Sequence, residues 1–387
     1  MNYTHKKIAA ALLSLLIIGG TAPVLGRADV FRPVVASAID NNVITYDETT
    51  HVLTLRGEFD NYTLQKYKDN GVKTIVAEEG AALVEYAAYL FYDFKDVEKI
   101  DLTNLDGSRA KYINHMFDGC ESLKEVKLCQ FNNPGITDIS GMFAYCKSLE
   151  TIDLSPLKTS SVTEFYSMFY DCQSLKTLDL SGFDTSNVTN MEYMFTGCAK
   201  LKKLDLSSFD TSKLANAKDM FIGCTYLEDL DISSFDTSKL TEASYMFEGC
   251  KNLKYIDFSK YNFDSMNYAS DMFKECDTLA PYISTINGAS ISLDGDISVN
   301  YYVTLGSSAS KAVLIGPNGA VLIDDLASCK RENGSYKFSY PVNAVQMSDE
   351  VTLKIYSDDG KQHIILKSSG TPRFLCKGSL QRKELCC

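Results

Sequence analysis

The chain has 387 residues, 45% hydrophobic and 23% charged, enough apolar material for a sizeable core. Its formal net charge of −12 argues against nucleic acid as a partner, because phosphate binding needs a basic face.

The first residues have the form of an export signal. "MNYTHKK" is a positively charged start, and "IAAALLSLLIIGG" is an apolar run too short for a confident membrane span. Residues 1–28 are therefore expected to be a signal peptide, with the mature chain starting near Arg27 or Asp29. No later stretch reads as membrane-spanning. Residues 29–70 include "NNVITYDETTHVLTLRGEFDNY", two strands around a polar turn, which suits a hairpin capping the end of a repeat array.

A repeat fills the next part, residues 71–280. Met-Phe recurs every 26 residues from Met116-Phe117 to Met272-Phe273, and seven cysteines from Cys120 to Cys276 keep the same interval. Uninterrupted repetition of this kind is the mark of a solenoid, in which no unit can bury its apolar face alone. Within one unit, "LKKLDLS" alternates Leu204 and Leu206 with Lys203, Asp205 and Ser207, the period of a short strand. "VTNMEYMF" places Val188, Met191, Met194 and Phe195 at a helical spacing, with a capping-box pair in Thr189 and Glu192. "SSFDTS" between them has turn chemistry. The expected unit is thus strand, turn, short helix, turn.

Residues 281–368 change period. "ASISLDGDISVNYYVTL", "KAVLIGPNGAVLIDDL", "GSYKFSYPVNAV" and "EVTLKIYSDDGKQHIIL" are alternating strands joined by Gly, Asn and Asp turns, the pattern of an antiparallel β-sandwich. Residues 369–387, which include "TPRFLCKGSLQRKELCC", form an irregular, basic, Cys-rich tail. The expected fold class is an α/β solenoid with 26-residue repeats that resembles the leucine-rich-repeat superfamily and is leucine-rich-repeat-like in that sense, followed by this small sandwich.

No HExxH, GxSxG, P-loop or dinucleotide fingerprint is present, so the chain reads as non-enzymatic with no cofactor. His115 lies five residues before Cys120, but both occupy repeat columns, so the pair reads as packing rather than a nucleophile and its base. The seven-cysteine column reads as buried free thiols filling a ladder. Export favours disulfides as the alternative, while the odd count and the Cα separation they need oppose them. The carboxylates Asp294, Asp296, Asp324 and Asp325 are the ones a catalytic sandwich would use, though turn acids usually only form turns. Tyr301-Tyr302 is a candidate sugar contact.

The outward strand residues make the candidate binding surface. One column reads Lys99, Glu125, Thr151, Thr177, Lys203, Asp229 and Tyr255. The next reads Asp101, Lys127, Asp153, Asp179, Asp205, Asp231 and Asp257. Strands stand about 4.8 Å apart, so stacked carboxylates repel and need lysines, Ser or Thr donors, or bound cations to offset them.

The repeat text "TSNVTNMEYMFTGCAKLKKLDLSSFD" and its siblings resemble the BspA-like (DUF285) repeats of bacterial surface proteins, over roughly residues 90–280. That resemblance implies a curved solenoid with its strands on the concave side. It also implies a secreted or cell-surface binding protein, of adhesive or host-interacting type, whose partner is a host or bacterial surface protein or a glycan. The alternative is a structural spacer or envelope component without a specific ligand.

Overall fold

The computed structural model describes residues 43–254, 256, 271–292, 298–342, 351–361 and 364–367. The signal segment and the Cys-rich tail lie outside the described residues.

A β-solenoid of about seven turns dominates the molecule. Its first sheet runs in the order Ile44–Asp47, Val52–Leu55, Thr74–Ala77, Lys99–Asp101, Glu125–Lys127. The first two strands are an antiparallel hairpin and every later pairing is parallel. Register places Leu53, Ile75, Ile100 and Val126 side by side, all buried. Because side chains alternate across a strand, their neighbours Lys99, Asp101, Glu125 and Lys127 are left on the outer face. A second pair, Lys203–Asp205 with Asp229–Asp231, repeats the arrangement around Leu204 and Leu230. The equivalent segments at 151–153 and 177–179 form no strand.

The Met-Phe segments are not helices, and the α/β expectation is corrected to an all-β solenoid with little helix. Each segment is a chain of tight turns: Met194 N–H donates to Met191 O, Cys198 to Phe195 O, and Leu201 to Cys198 O. A bond to the third residue back yields the apolar spacing that mimics an amphipathic helix. What prevents a helix is the backbone at two positions of every turn. Tyr193 and Gly197 have φ of 60° and 75°, and His115 and Gly119 have 55° and 80°. This left-handed conformation swings the peptide out of the helical path. The freed N–H groups then bond along the stack. Phe91, Phe117, Phe143, Phe169, Phe195, Phe221 and Phe247 each donate to the carbonyl of the Met 25 residues later, at 2.8–2.9 Å. Thr189 and Glu192, read as a capping box, cap no helix; the Glu192 N–H is accepted by Asn190 Oδ1 at 2.9 Å.

The interior is a set of ladders. Eight phenylalanines from Phe91 to Phe273 stack face to face, with centroids 5.2–6.0 Å apart. At the corners, the buried Thr159, Thr185 and Thr211 hydroxyls donate to the carbonyls of Asp184, Asp210 and Asp236 at 3.0–3.1 Å. The same hydroxyl oxygens accept the N–H groups of those aspartates at 2.7–2.8 Å. One Thr thus satisfies both backbone groups of the next turn, which a buried corner requires.

After Leu279 the ladder gives way to two sheets. One has four strands in the order Tyr336–Pro341, Ser298–Thr304, Ile283–Ser292, Ile364–Lys367. The other has three: Gly319–Ile323, Ala309–Gly316, Thr352–Ser357. Val299, Tyr301, Val303, Phe338 and Tyr340 from the first share an apolar cluster with Ala312, Leu314, Leu353 and Ile355 from the second.

Candidate interaction surface

The strand face carries the predicted columns, and its charges are largely paired. Lys99 lies 3.1 Å from Glu125, Lys127 2.9 Å from Asp101, and Lys203 3.1 Å from Asp229. Lys254 also reaches Asp229, at 3.5 Å. One residue before these columns, Lys124 pairs with Glu98 and Lys176 with Glu150, both at 2.7 Å. Most of these links run to the next turn of the stack. The Lys203 side chain remains 79% exposed, so its pair is solvated and contributes little to stability.

The aspartate column is explained by turns. Asp153, Asp179, Asp205 and Asp231 each accept, through Oδ1, the N–H of the Ser two residues on, at 2.9–3.0 Å. Asp101 does the same with Thr103 at 3.1 Å. Bonds from Ser155, Ser181 and Ser207 hold Asp153, Asp179 and Asp205 below the usual carboxylate range. For Asp101, partial burial pushes the pKa up, but bonds from Thr103 and Lys127 outweigh it and the net shift is downward. Lys203 and Lys254 lower Asp229. Among the described residues no group of three or more His, Cys, Asp or Glu is placed to hold a metal ion.

The predicted surface is therefore assembled unevenly. Lys99, Asp101, Glu125 and Lys127 sit together on paired strands, as do Lys203, Asp205, Asp229 and Asp231. Thr151, Asp153, Thr177 and Asp179 fall on the unpaired segments between them. Tyr255 and Asp257 lie outside the described residues, as do Asp294 and Asp296. Asp325 acts as a turn former, its Oδ1 accepting the Ala327 N–H at 3.1 Å.

The cysteine column is buried and free, each thiol donating to the carbonyl of the Phe 29 residues earlier at 3.0–3.3 Å. Burial pushes the Cys120 thiol well up, the reverse of what a nucleophile beside His115 needs. His115 instead stacks on Tyr89, centroids 4.8 Å apart, and places Nδ1 2.9 Å from Asp118.

A tyrosine-rich face on the Met-Phe side was not legible as a surface. Tyr86 and Tyr112 are half exposed with centroids 5.5 Å apart, and Tyr145, Tyr170, Tyr166 and Tyr193 continue edge to face. Burial, with Tyr86, Asp118 and Asp138 nearby, pushes Tyr89 up to about 12. The available signal was the clustering of tyrosines at positions flanking Met-Phe in neighbouring units.

The repeat matches the family model described as "Mycoplasma protein of unknown function, DUF285", over residues 86–203 and again over 169–286. No curated protein and no solved structure matches the chain. The two matches together cover more than half of the sequence and coincide with the stacked turns, so the protein belongs to the DUF285 family of BspA-like repeats.

Proposed function

We propose that the protein is an exported, non-enzymatic binding protein that acts at the cell surface in adhesion or cell contact. A partner protein or glycan would dock on the outer strand face. The observation that carries this is the division of labour within each turn. Leu, Met, Phe and Cys are consumed by the core, whereas Lys99, Glu125, Lys203 and Asp229 differ from turn to turn on a rigid outer face. A regular frame with a variable polar surface is what solenoids offer partners. The two C-terminal sheets with their shared core fit an accessory β-sandwich.

The second reading, a spacer without a specific ligand, is favoured by how many strand-face charges close on one another. Binding to a panel of matrix proteins, mucins, glycans and bacterial cells separates the two. The exchange Lys203→Asp with Asp229→Lys keeps the ion pair but inverts the surface pattern. A saturable partner lost on that exchange supports docking there. Silence of the folded protein across the panel supports the spacer.

A further inference from the structure

Away from the solenoid, the four-stranded sheet carries an open cavity of about 520 Å³. That lies within the range of small-ligand sites, about 300–1,000 Å³. Three features show that it is built rather than left over. First, the register of Ile283–Ser292 against Ser298–Thr304 slips between Ile286 and Gly288, so Asn287 is an extra, bulged residue. A bulge re-aims a side chain, and the Asn287 amide donates to Thr304 Oγ1 at 2.8 Å at the cavity wall.

Second, the opposite wall is a tight turn closed by its own bonds. Arg331 N–H donates to Ser335 O at 2.8 Å and Gly334 N–H to Arg331 O at 3.0 Å. Asn333 Oδ1 accepts both the N–H and the hydroxyl of Ser335. Gly334 has φ of 82°, so the turn is set without strain.

Third, the guanidinium of Arg331 lies over the ring of Tyr302, 5.0 Å from its centroid. Among the described residues it has no ion-pair or hydrogen-bond partner. Arg56 and Arg109, by contrast, each bind a glutamate at 2.7 Å. In a chain of net charge −12, a guanidinium braced by an aromatic ring and left without a carboxylate is a seat for an external one. Lys337, the cross-strand neighbour of Tyr302, adds to the positive field.

We infer that this cavity binds a carboxylated sugar, with Arg331 forking onto the carboxylate. The side chains of Asn287, Thr304, Asn333 and Ser335 receive the ring hydroxyls. The rest of the wall decides the class of ligand. Phosphate carries about two charges and is usually met by clustered backbone N–H groups or several cations. A single delocalised cation suits a monoanion, and paired amides and hydroxyls suit a polyhydroxylated ring. This site is independent of the strand face.

Titration of the full-length protein with methyl β-glucuronide, followed by calorimetry and ligand-observed NMR, tests the assignment. Saturable binding is expected, at least tenfold tighter than for methyl β-glucoside. Arg331→Gln should lose at least tenfold, Arg331→Lys should lose less, and Asn287→Ala should weaken binding without unfolding the sheet. The Lys203→Asp/Asp229→Lys exchange should leave it unchanged. No binding of the glucuronide, equal binding of the neutral glucoside, or full affinity in Arg331→Gln would overturn the proposal. So would acetate competing as well as the glucuronide, which would reduce the cavity to an anion site. Should Arg331→Gln misfold by circular dichroism, the Asn287→Ala and Arg331→Lys titrations decide alone, and undiminished affinity in both rejects the site.

Discussion

Cys198 donates its thiol hydrogen to the carbonyl oxygen of Phe169, 3.2 Å away and 29 residues earlier, and the same link recurs along the whole column. The thiol does two jobs there: it fills volume, and it adds a second donor to a carbonyl that already accepts the N–H of Cys172 within its own turn. Burial pushes Cys224 and Cys276 up to about 12 from an ordinary 9.0. The folded ladder should therefore resist a thiol reagent at pH 8 and react fully only in guanidinium. Counting modified cysteines by mass spectrometry before and after denaturation checks this. Rapid native labelling of Cys198 or Cys224 would contradict it.

The same shift predicts alkaline sensitivity. The unfolded thiols ionise near 9.0 while the folded ones stay protonated to about 12, so the unfolded state binds fewer protons in between. The contribution is intact below pH 9 and is lost progressively as pH rises towards 12. Thermal melts across that window should fall with a slope that shrinks in a Cys224→Ala variant.

The aspartate column makes the opposite prediction at low pH. Asp153, Asp179 and Asp205 are held below their ordinary 3.8, so their stabilisation is present above that value and lost as pH falls through the lower, folded one. Asn keeps the accepting oxygen and Ala does not. Asp179→Asn should thus lower the melting temperature at pH 7 by less than Asp179→Ala does. Equal losses in both would mean that the carboxylate charge, and not the turn, matters there.

Gly141 occupies the column held elsewhere by Tyr89, His115 and Tyr193, with φ of 60°. A Cβ there would run into His115 Nδ1. Gly141→Ala should displace the imidazole from Asp118 and destabilise the protein by about 1–3 kcal/mol. Denaturant melts and the imidazole NMR signals of His115 report the two effects separately.

Phe195 is stacked between Phe169 and Phe221, with centroids 6.0 and 5.5 Å away. Phe195→Ala should cost about 3–5 kcal/mol. In a stack of nearest-neighbour contacts it should also split unfolding into two phases, which calorimetry would resolve.

The period, the leucine ladder and the Met, Phe and Cys interior were legible because burial demands fixed residue types at a fixed interval. The helix was not, because tight turns and helices share an apolar spacing of three to four residues. The deciding quantity was backbone φ, and its trace was faint: Gly119, Gly197, Gly223 and Gly249 share one column with Asp93 and Asp171. The role of the aspartates was half visible, since a Ser two residues later is the mark of a side-chain turn. The Arg331 cavity was beyond reach of pattern, because its walls come from a bulge at Asn287 and a turn 44 residues later, at Arg331.

Along the Met-Phe column each turn bonds the next at the same position, from Phe91 N–H to Met116 O through Phe247 N–H to Met272 O. The chain can therefore gain or lose one whole unit and meet matching partners on both sides of the splice. Length is thus a free variable of this architecture, adjustable in steps of roughly 5 Å, the spacing of adjacent strands. Duplication of a 26-residue segment would move whatever rides on the far end outward by one step, as a telescoping mast raises its load, with the Phe-to-Met backbone ladder unbroken.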